Sequence, residues 1–94
     1  MTEFQFLDNM AFYQRRFERL HFTIILDMKR YVAQNPIHDS AFIKKIEGFS
    51  YDITLTGQWI KLLKDFNADK YNNMNRLLIE FNCDKSHTDA IRRF

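Results

Sequence analysis

Apolar residues recur at alternating steps of four and three along the first third of the chain, and this spacing is the strongest constraint on the fold. The residues are Phe6, Met10, Tyr13, Phe17, Leu20, Ile24 and Tyr31. Asp27 occupies the one step at which a polar residue interrupts the series. Residues at such steps share one face of an α-helix. The sequence therefore begins with a long amphipathic helix.

The limits of this first helix follow from residues that start and stop helices. Thr2 and Gln5 have the spacing of a capping box. Neither Gly nor Pro occurs between Thr2 and Asn35, and Pro36 cannot continue a helix. We expect a helix of about 30 residues, roughly 45 Å long.

A second apolar pattern follows Pro36 and allows two interpretations. The residues Phe42, Ile46, Phe49, Ile53, Ile60 and Leu63 keep the helical steps, with Thr56 at the missing one, and Asp39 or Ser40 is a candidate cap. Residues 49–56, however, alternate apolar and polar side chains between Gly48 and Gly57, which is typical of a strand. We favour one helix, or two helices broken near residues 48–56. The alternative is an α+β fold with a small hairpin around residues 42–56.

The last third of the chain also has helical spacing. Residues 58–66 are amphipathic, Asn67 and Asp69 resemble a cap, and Tyr71, Met74, Leu78 and Phe81 form another stripe. Ser86 and Asp89 have the spacing of a second capping box, so residues 90–94 are expected to form a short final turn or a frayed end. The predicted fold is all-α: an antiparallel bundle of three or four helices, the first the longest, in a single domain spanning residues 1–94.

The composition supports a helical fold and indicates where in the cell the protein is expected. Hydrophobic residues make up 46% of the 94 residues and aromatic residues 16%, whereas only two Gly and one Pro are present. Cys83 is the only cysteine, so no intrachain disulfide forms and a cytoplasmic location is expected. The most apolar run, residues 20–28, is short and contains polar residues, so we expect neither a membrane span nor a signal peptide.

The first helix carries more apolar surface than its main stripe accounts for. Phe22, Ile25, Leu26 and Val32 lie outside that stripe, so the helix is apolar on nearly all sides there. Such a helix must be covered on several sides, either as the central helix of the bundle or by another chain. We favour the second interpretation, in which these four residues contact a second subunit or another protein. Trp59 is added to this predicted interface because Trp is enriched at binding hot spots, with a core anchor of the domain as the alternative.

Basic clusters suggest an alternative function. They comprise Arg15, Arg16 and Arg19 in the first helix, Lys44 and Lys45, and Arg92 and Arg93 near the C-terminus. Clusters of this kind contact phosphates in nucleic-acid-binding proteins if they converge on one face. The formal net charge is only +2, and Glu18 lies among the arginines. Nucleic-acid binding by a helical protein is therefore the second interpretation.

A third interpretation rests on the spacing of Arg16 and His21. This Arg-x4-His spacing is similar to that of the HEPN ribonucleases, all-helical proteins that dimerise to assemble their Arg-His pairs. The resemblance implies RNA cleavage by Arg16 and His21. It covers six residues, and Phe17 stands where that family usually has a polar residue.

No other residues suggest chemistry. Cys83, His87 and Asp89 lack the paired spacings of zinc ligands, and two glycines cannot form a phosphate-binding loop. We predict no metal and no cofactor. The sequence is typical of a small non-enzymatic interaction module that self-associates or binds a macromolecular partner, such as the regulators and inhibitors that phages and mobile elements encode.

Overall fold

The computed structural model describes residues 2–71 and 73–91, and over these residues the chain is an all-α helical bundle without strands. Its helices are α1 (Glu3–Asp8), α2 (Met10–Gln34), α3 (Ser40–Lys64) and α4 (Met74–Ile91). A 3-10 turn, Ala68–Lys70, lies between α3 and α4. The predicted all-α fold is confirmed. The alternative with a hairpin around residues 42–56 is wrong.

The predicted first helix is interrupted near its start. Thr2 forms the predicted capping box with Gln5, but α1 ends at Asp8 and α2 begins at Met10. Asn9, between them, leaves the helical conformation with φ −112° and ψ 14°, and its side-chain amide donates to the Gln5 carbonyl over 2.9 Å. The interruption turns α1 so that Phe6 is completely buried, with its ring 5.1 Å from that of Phe81 in α4.

Helix α3 runs without a break through both glycines. The side chain of Asp39 caps it by accepting from the Phe42 backbone N–H over 2.9 Å. Thr56 is fully buried, and its hydroxyl lies 2.8 Å from the Asp52 carbonyl of the preceding turn. The segment is therefore helical, although its composition also suits a strand. The buried hydroxyl of Thr56 is satisfied by the backbone of the preceding turn. One continuous helix is therefore confirmed, and the alternative of two helices broken near residues 48–56 is wrong.

Helix α4 is continuous past the predicted second capping box. Ser86 lies within the helix, and the buried Thr88 donates to the Lys85 carbonyl over 3.0 Å. The predicted cap at Ser86 is therefore wrong, and residues 92–94 of the predicted final turn lie outside the described residues. Asn67 accepts from the Asp69 N–H over 3.0 Å and so caps the 3-10 turn, whereas Asn73 accepts from the Arg76 N–H at the start of α4.

The bundle is antiparallel. Helices α2 and α3 pair along their length, and α4 lies beside both of them. Contacts of α4 proceed along α3 in reverse order, since Trp59 bonds to Asp84 and Asp52 bonds to His87. The core lies at one half of the molecule, around Phe81, whose ring is surrounded by the rings of Phe6, Tyr13, Phe17 and Trp59 at centroid distances of 4.9 to 6.1 Å.

Candidate functional site

The four apolar residues of α2 that the sequence assigned to an interface are accessible in this chain. Phe22 is 62% exposed, and Leu26 and Val32 are each 42% exposed. Ile25 is half-buried. Ile43 of α3 is 52% exposed. These five residues, Phe22, Ile25, Leu26, Val32 and Ile43, are called the apolar strip below.

Helical geometry explains why the apolar strip is left uncovered. The buried stripe of α2, which includes Phe17, Leu20 and Ile24, faces α3 and α4. Ile25 and Val32 follow the stripe positions Ile24 and Tyr31 by one residue, so they lie about 100° around the helix from it. The ring of Tyr31 packs 5.6 Å from that of Phe42, which brings the following residues of the two helices, Val32 and Ile43, to the same end of the α2–α3 pair.

Trp59 does not belong to this surface. Its side chain is only 5% exposed, and its ring lies 5.1 Å from that of Phe81. The indole N–H donates to Oδ2 of Asp84 over 2.7 Å, which ties α3 to α4. The prediction that Trp59 contributes to an interface is therefore corrected, because the α4 side of α3 takes this residue into the core.

The arginines of α2 form a second surface feature. Phe12, Arg15, Arg16 and Arg19 line a shallow groove of about 250 Å³, here called the arginine patch. Arg16 forms an ion pair with Asp89 of α4, and Lys85 donates to the other carboxylate oxygen of Asp89 over 2.8 Å. One of the three predicted phosphate contacts is thus already neutralised by a carboxylate.

The other basic clusters lie apart from the arginine patch. Lys44 and Lys45 line a groove of about 510 Å³ together with Arg30, Asp27 and Asp52. Arg15 and Arg30 are about 22 Å apart along the helix. Carboxylates lie within both clusters: Asp89 pairs with Arg16, and Asp27 and Asp52 line the groove of Lys44 and Lys45. Arg92 and Arg93 lie outside the described residues.

His21 and Arg16 contact different helices. Nδ1 of His21 lies 2.8 Å from Oγ1 of Thr56 in α3, whereas Arg16 pairs with Asp89 in α4. Gly57 lies beside the imidazole, and a Cβ at this position would contact Cε1 of His21 at 3.4 Å. Within one chain, both residues of the HEPN-like spacing are therefore engaged in helix packing.

The residues considered for a metal site are also dispersed. His87 bonds through Nε2 to Oδ1 of Asp52 over 2.8 Å, Asp89 pairs with Arg16, and Cys83 is exposed. Among the described residues no three side chains of the His, Cys, Asp and Glu types are grouped as metal ligands. Asp27, the polar step of the first stripe, is on the surface with Arg30 at 3.7 Å.

Sequence reasoning missed two residues of these surfaces. Ile43 joins the apolar strip and Phe12, which is half exposed, joins the arginine patch. Both are apolar residues displaced from the main stripe of their helix, which is the signal that identified Phe22 and Val32. Ile43 was missed because the helical course of α3 was itself in question.

A comparison of the chain with protein-family models, curated proteins and solved structures finds no match. Within the described ranges, none of the helices combines the length and apolar character needed to cross a membrane. What the protein does must therefore be inferred from its own residues.

Proposed function

We propose that this protein is a small non-enzymatic interaction module, which regulates or inhibits a macromolecular partner by binding it through the apolar strip. The observation that carries the proposal is the exposure of the large apolar side chains Phe22, Leu26 and Val32 on α2 and Ile43 on α3. Large exposed apolar surface on a small protein commonly marks an interaction site.

The contacts of the polar residues support a binding role over a catalytic one. The imidazoles of His21 and His87 each bond to a side chain of α3, and the guanidinium of Arg16 pairs with Asp89. Each of these groups joins two helices. Packing of the helices against one another therefore explains where these three side chains lie.

A variant with polar residues in the apolar strip tests the proposal, because it should no longer bind the partner. The tagged parent and the variant Leu26→Ser/Val32→Ser are used to capture proteins from the source cells, and a captured partner is then purified and titrated with each chain. We expect the strip variant to lose binding. Ile79→Ser is the matched control, because Ile79 is 64% exposed but lies on α4. Equal binding by the parent and the strip variant contradicts the proposal.

Nucleic-acid binding through the arginine patch is the second candidate function. The observation in its favour is that Arg15 and Arg19 share a groove with the exposed ring of Phe12. Cations beside an aromatic ring suit a phosphate chain with stackable bases. The pairing of Arg16 with Asp89 and the separation of the basic clusters weigh against it.

A further inference from the structure

Helix α2 carries a second stripe that the bundle does not use. Its residues are Glu18, Phe22, Ile25, Lys29 and Val32, at steps of four, three, four and three. Ile25 is half-buried and the other four are exposed. This spacing is the one by which two helices pack along a common seam. The stripe thus offers α2 a second packing surface in addition to the one that faces α3 and α4.

The charges on this stripe are placed symmetrically about its apolar centre. Glu18 precedes Phe22 by four residues, and Lys29 follows Ile25 by four residues. The two charged residues are about 16 Å apart along the helix and cannot pair with each other. In the part of the chain that the structure describes, neither forms an ion pair within the bundle. Glu18 only accepts a hydrogen bond of 3.1 Å from Gln14.

An antiparallel pair of α2 helices satisfies both the apolar and the charged positions. A two-fold axis between Phe22 and Ile25 places Phe22 of each copy opposite Ile25 of the other, and Glu18 of each copy opposite Lys29 of the other. A parallel pair would place like charges opposite each other. In the same register Arg15 lies opposite Val32, where its aliphatic stem can cover the valine while the guanidinium stays in water.

We infer that this second stripe of α2 binds a second copy of the chain, with the two α2 helices antiparallel and Glu18 of each copy paired with Lys29 of the other. This inference rests on the proposed function and identifies a second copy of the chain as one partner of the interaction module. Exposed ion pairs add little affinity, so Phe22 and Ile25 supply the attraction and the charges set the direction and register.

Charge exchange between two variants tests the register. Glu18→Lys puts lysine opposite Lys29, and Lys29→Glu puts glutamate opposite Glu18, twice in each dimer. We expect each variant alone to dimerise on the order of tenfold more weakly than the parent, because like charges at close range are repelled. An equimolar mixture of the two variants should regain the parent's affinity, since both opposite-charge pairs are restored. Sedimentation velocity over a range of concentrations measures the four dissociation constants, those of the parent, of each variant and of the mixture.

Matched controls separate register from general charge effects. Glu80→Lys and Lys70→Glu make the same charge changes away from the stripe, and we expect each to dimerise as the parent does. Circular dichroism checks that every variant is helical. Equal dimerisation of Glu18→Lys and the parent, or a mixture no tighter than its components, overturns the antiparallel register.

A strictly monomeric parent overturns self-association altogether. The species would then have the 11.5 kDa mass of one chain at every concentration. The proposed function has a separate readout, because binding of a different purified protein that is lost in Leu26→Ser/Val32→Ser would still support an interaction module. A parent that neither dimerises nor binds any partner through the strip contradicts both.

Discussion

Nδ1 of His21 lies 2.8 Å from Oγ1 of Thr56, and this contact joins α2 to α3 beside Gly57. The Thr56 hydroxyl is also 2.8 Å from the Asp52 carbonyl, to which it can donate its single proton. The oxygen then accepts from His21, so the imidazole satisfies a fully buried group. His21 therefore has a structural role in the bundle that does not depend on its HEPN-like spacing from Arg16.

Replacing His21 by Ala should destabilise the protein by about 1 kcal/mol, because a side-chain hydrogen bond and its packing are lost while Thr56 keeps its carbonyl partner. Urea unfolding followed by Trp59 fluorescence measures the change. The variant and the parent should be equally inactive on structured and unstructured RNA. Cleavage by the parent that disappears in both His21→Ala and Arg16→Ala would instead support the HEPN-like interpretation.

Replacing Asp84 by Ala should lower the free energy of unfolding by about 1 to 2 kcal/mol, because the buried indole N–H of Trp59 loses its acceptor. Chemical denaturation followed by circular dichroism measures this loss. Glu80→Ala, an exposed position on the same helix, should change stability by less than about 0.5 kcal/mol. Equal effects of the two substitutions would show that the Trp59–Asp84 bond does not stabilise the bundle.

Replacing Gly48 by Ala should stabilise the protein by about 0.5 to 1 kcal/mol, since Gly48 lies inside α3 and no atom stands within 4 Å of an added Cβ. Thermal unfolding compares this variant with Gly57→Ala. At Gly57 the added Cβ meets Cε1 of His21 at 3.4 Å, so the gain should be smaller or absent. Destabilisation by Gly48→Ala would contradict a continuous α3.

The arginine patch should give no tight binding to nucleic acid. We expect no submicromolar affinity for RNA or DNA at physiological salt, because Asp89 neutralises Arg16 and Glu18 lies nearby in sequence. Filter binding at several salt concentrations measures affinity and its salt dependence. A steep salt dependence in the parent would favour the second candidate function if Arg15→Ala/Arg19→Ala reduces it by up to about two released counterions.

Apolar spacing was sufficient to predict the helices, because one face of each had to be buried. The end of α2 was predicted correctly from Pro36, because proline stops a helix through local geometry. Apolar spacing also favoured helix over strand for residues 48–57, where packing outweighs the weak helix propensity of Gly, Thr and Tyr. The interruption at Asn9 was not predictable, because it depends on Phe6 reaching Phe81, a residue distant in sequence.

The surfaces were predicted less completely than the helices. Phe22, Ile25, Leu26 and Val32 were identified because they fall outside the main stripe of α2. Trp59 was misassigned because residue type alone does not say which helix covers a side chain, and α4 covers this one. The ion pair of Arg16 with Asp89 likewise depends on where α4 lies, which no local pattern specifies.

The position of Phe81 at the centre of the aromatic core has a consequence for the order of folding. Helices α2 and α3 adjoin in sequence and can pair through local contacts, whereas the rings of Phe6, Tyr13, Phe17 and Trp59 meet Phe81 only after α4 has been added. Contacts between distant parts of a chain form slowly because a larger loop must close. During synthesis the α2–α3 pair therefore exposes both the core side chains that α4 later covers and its apolar strip. Until α4 emerges, another chain can compete with it for those core side chains.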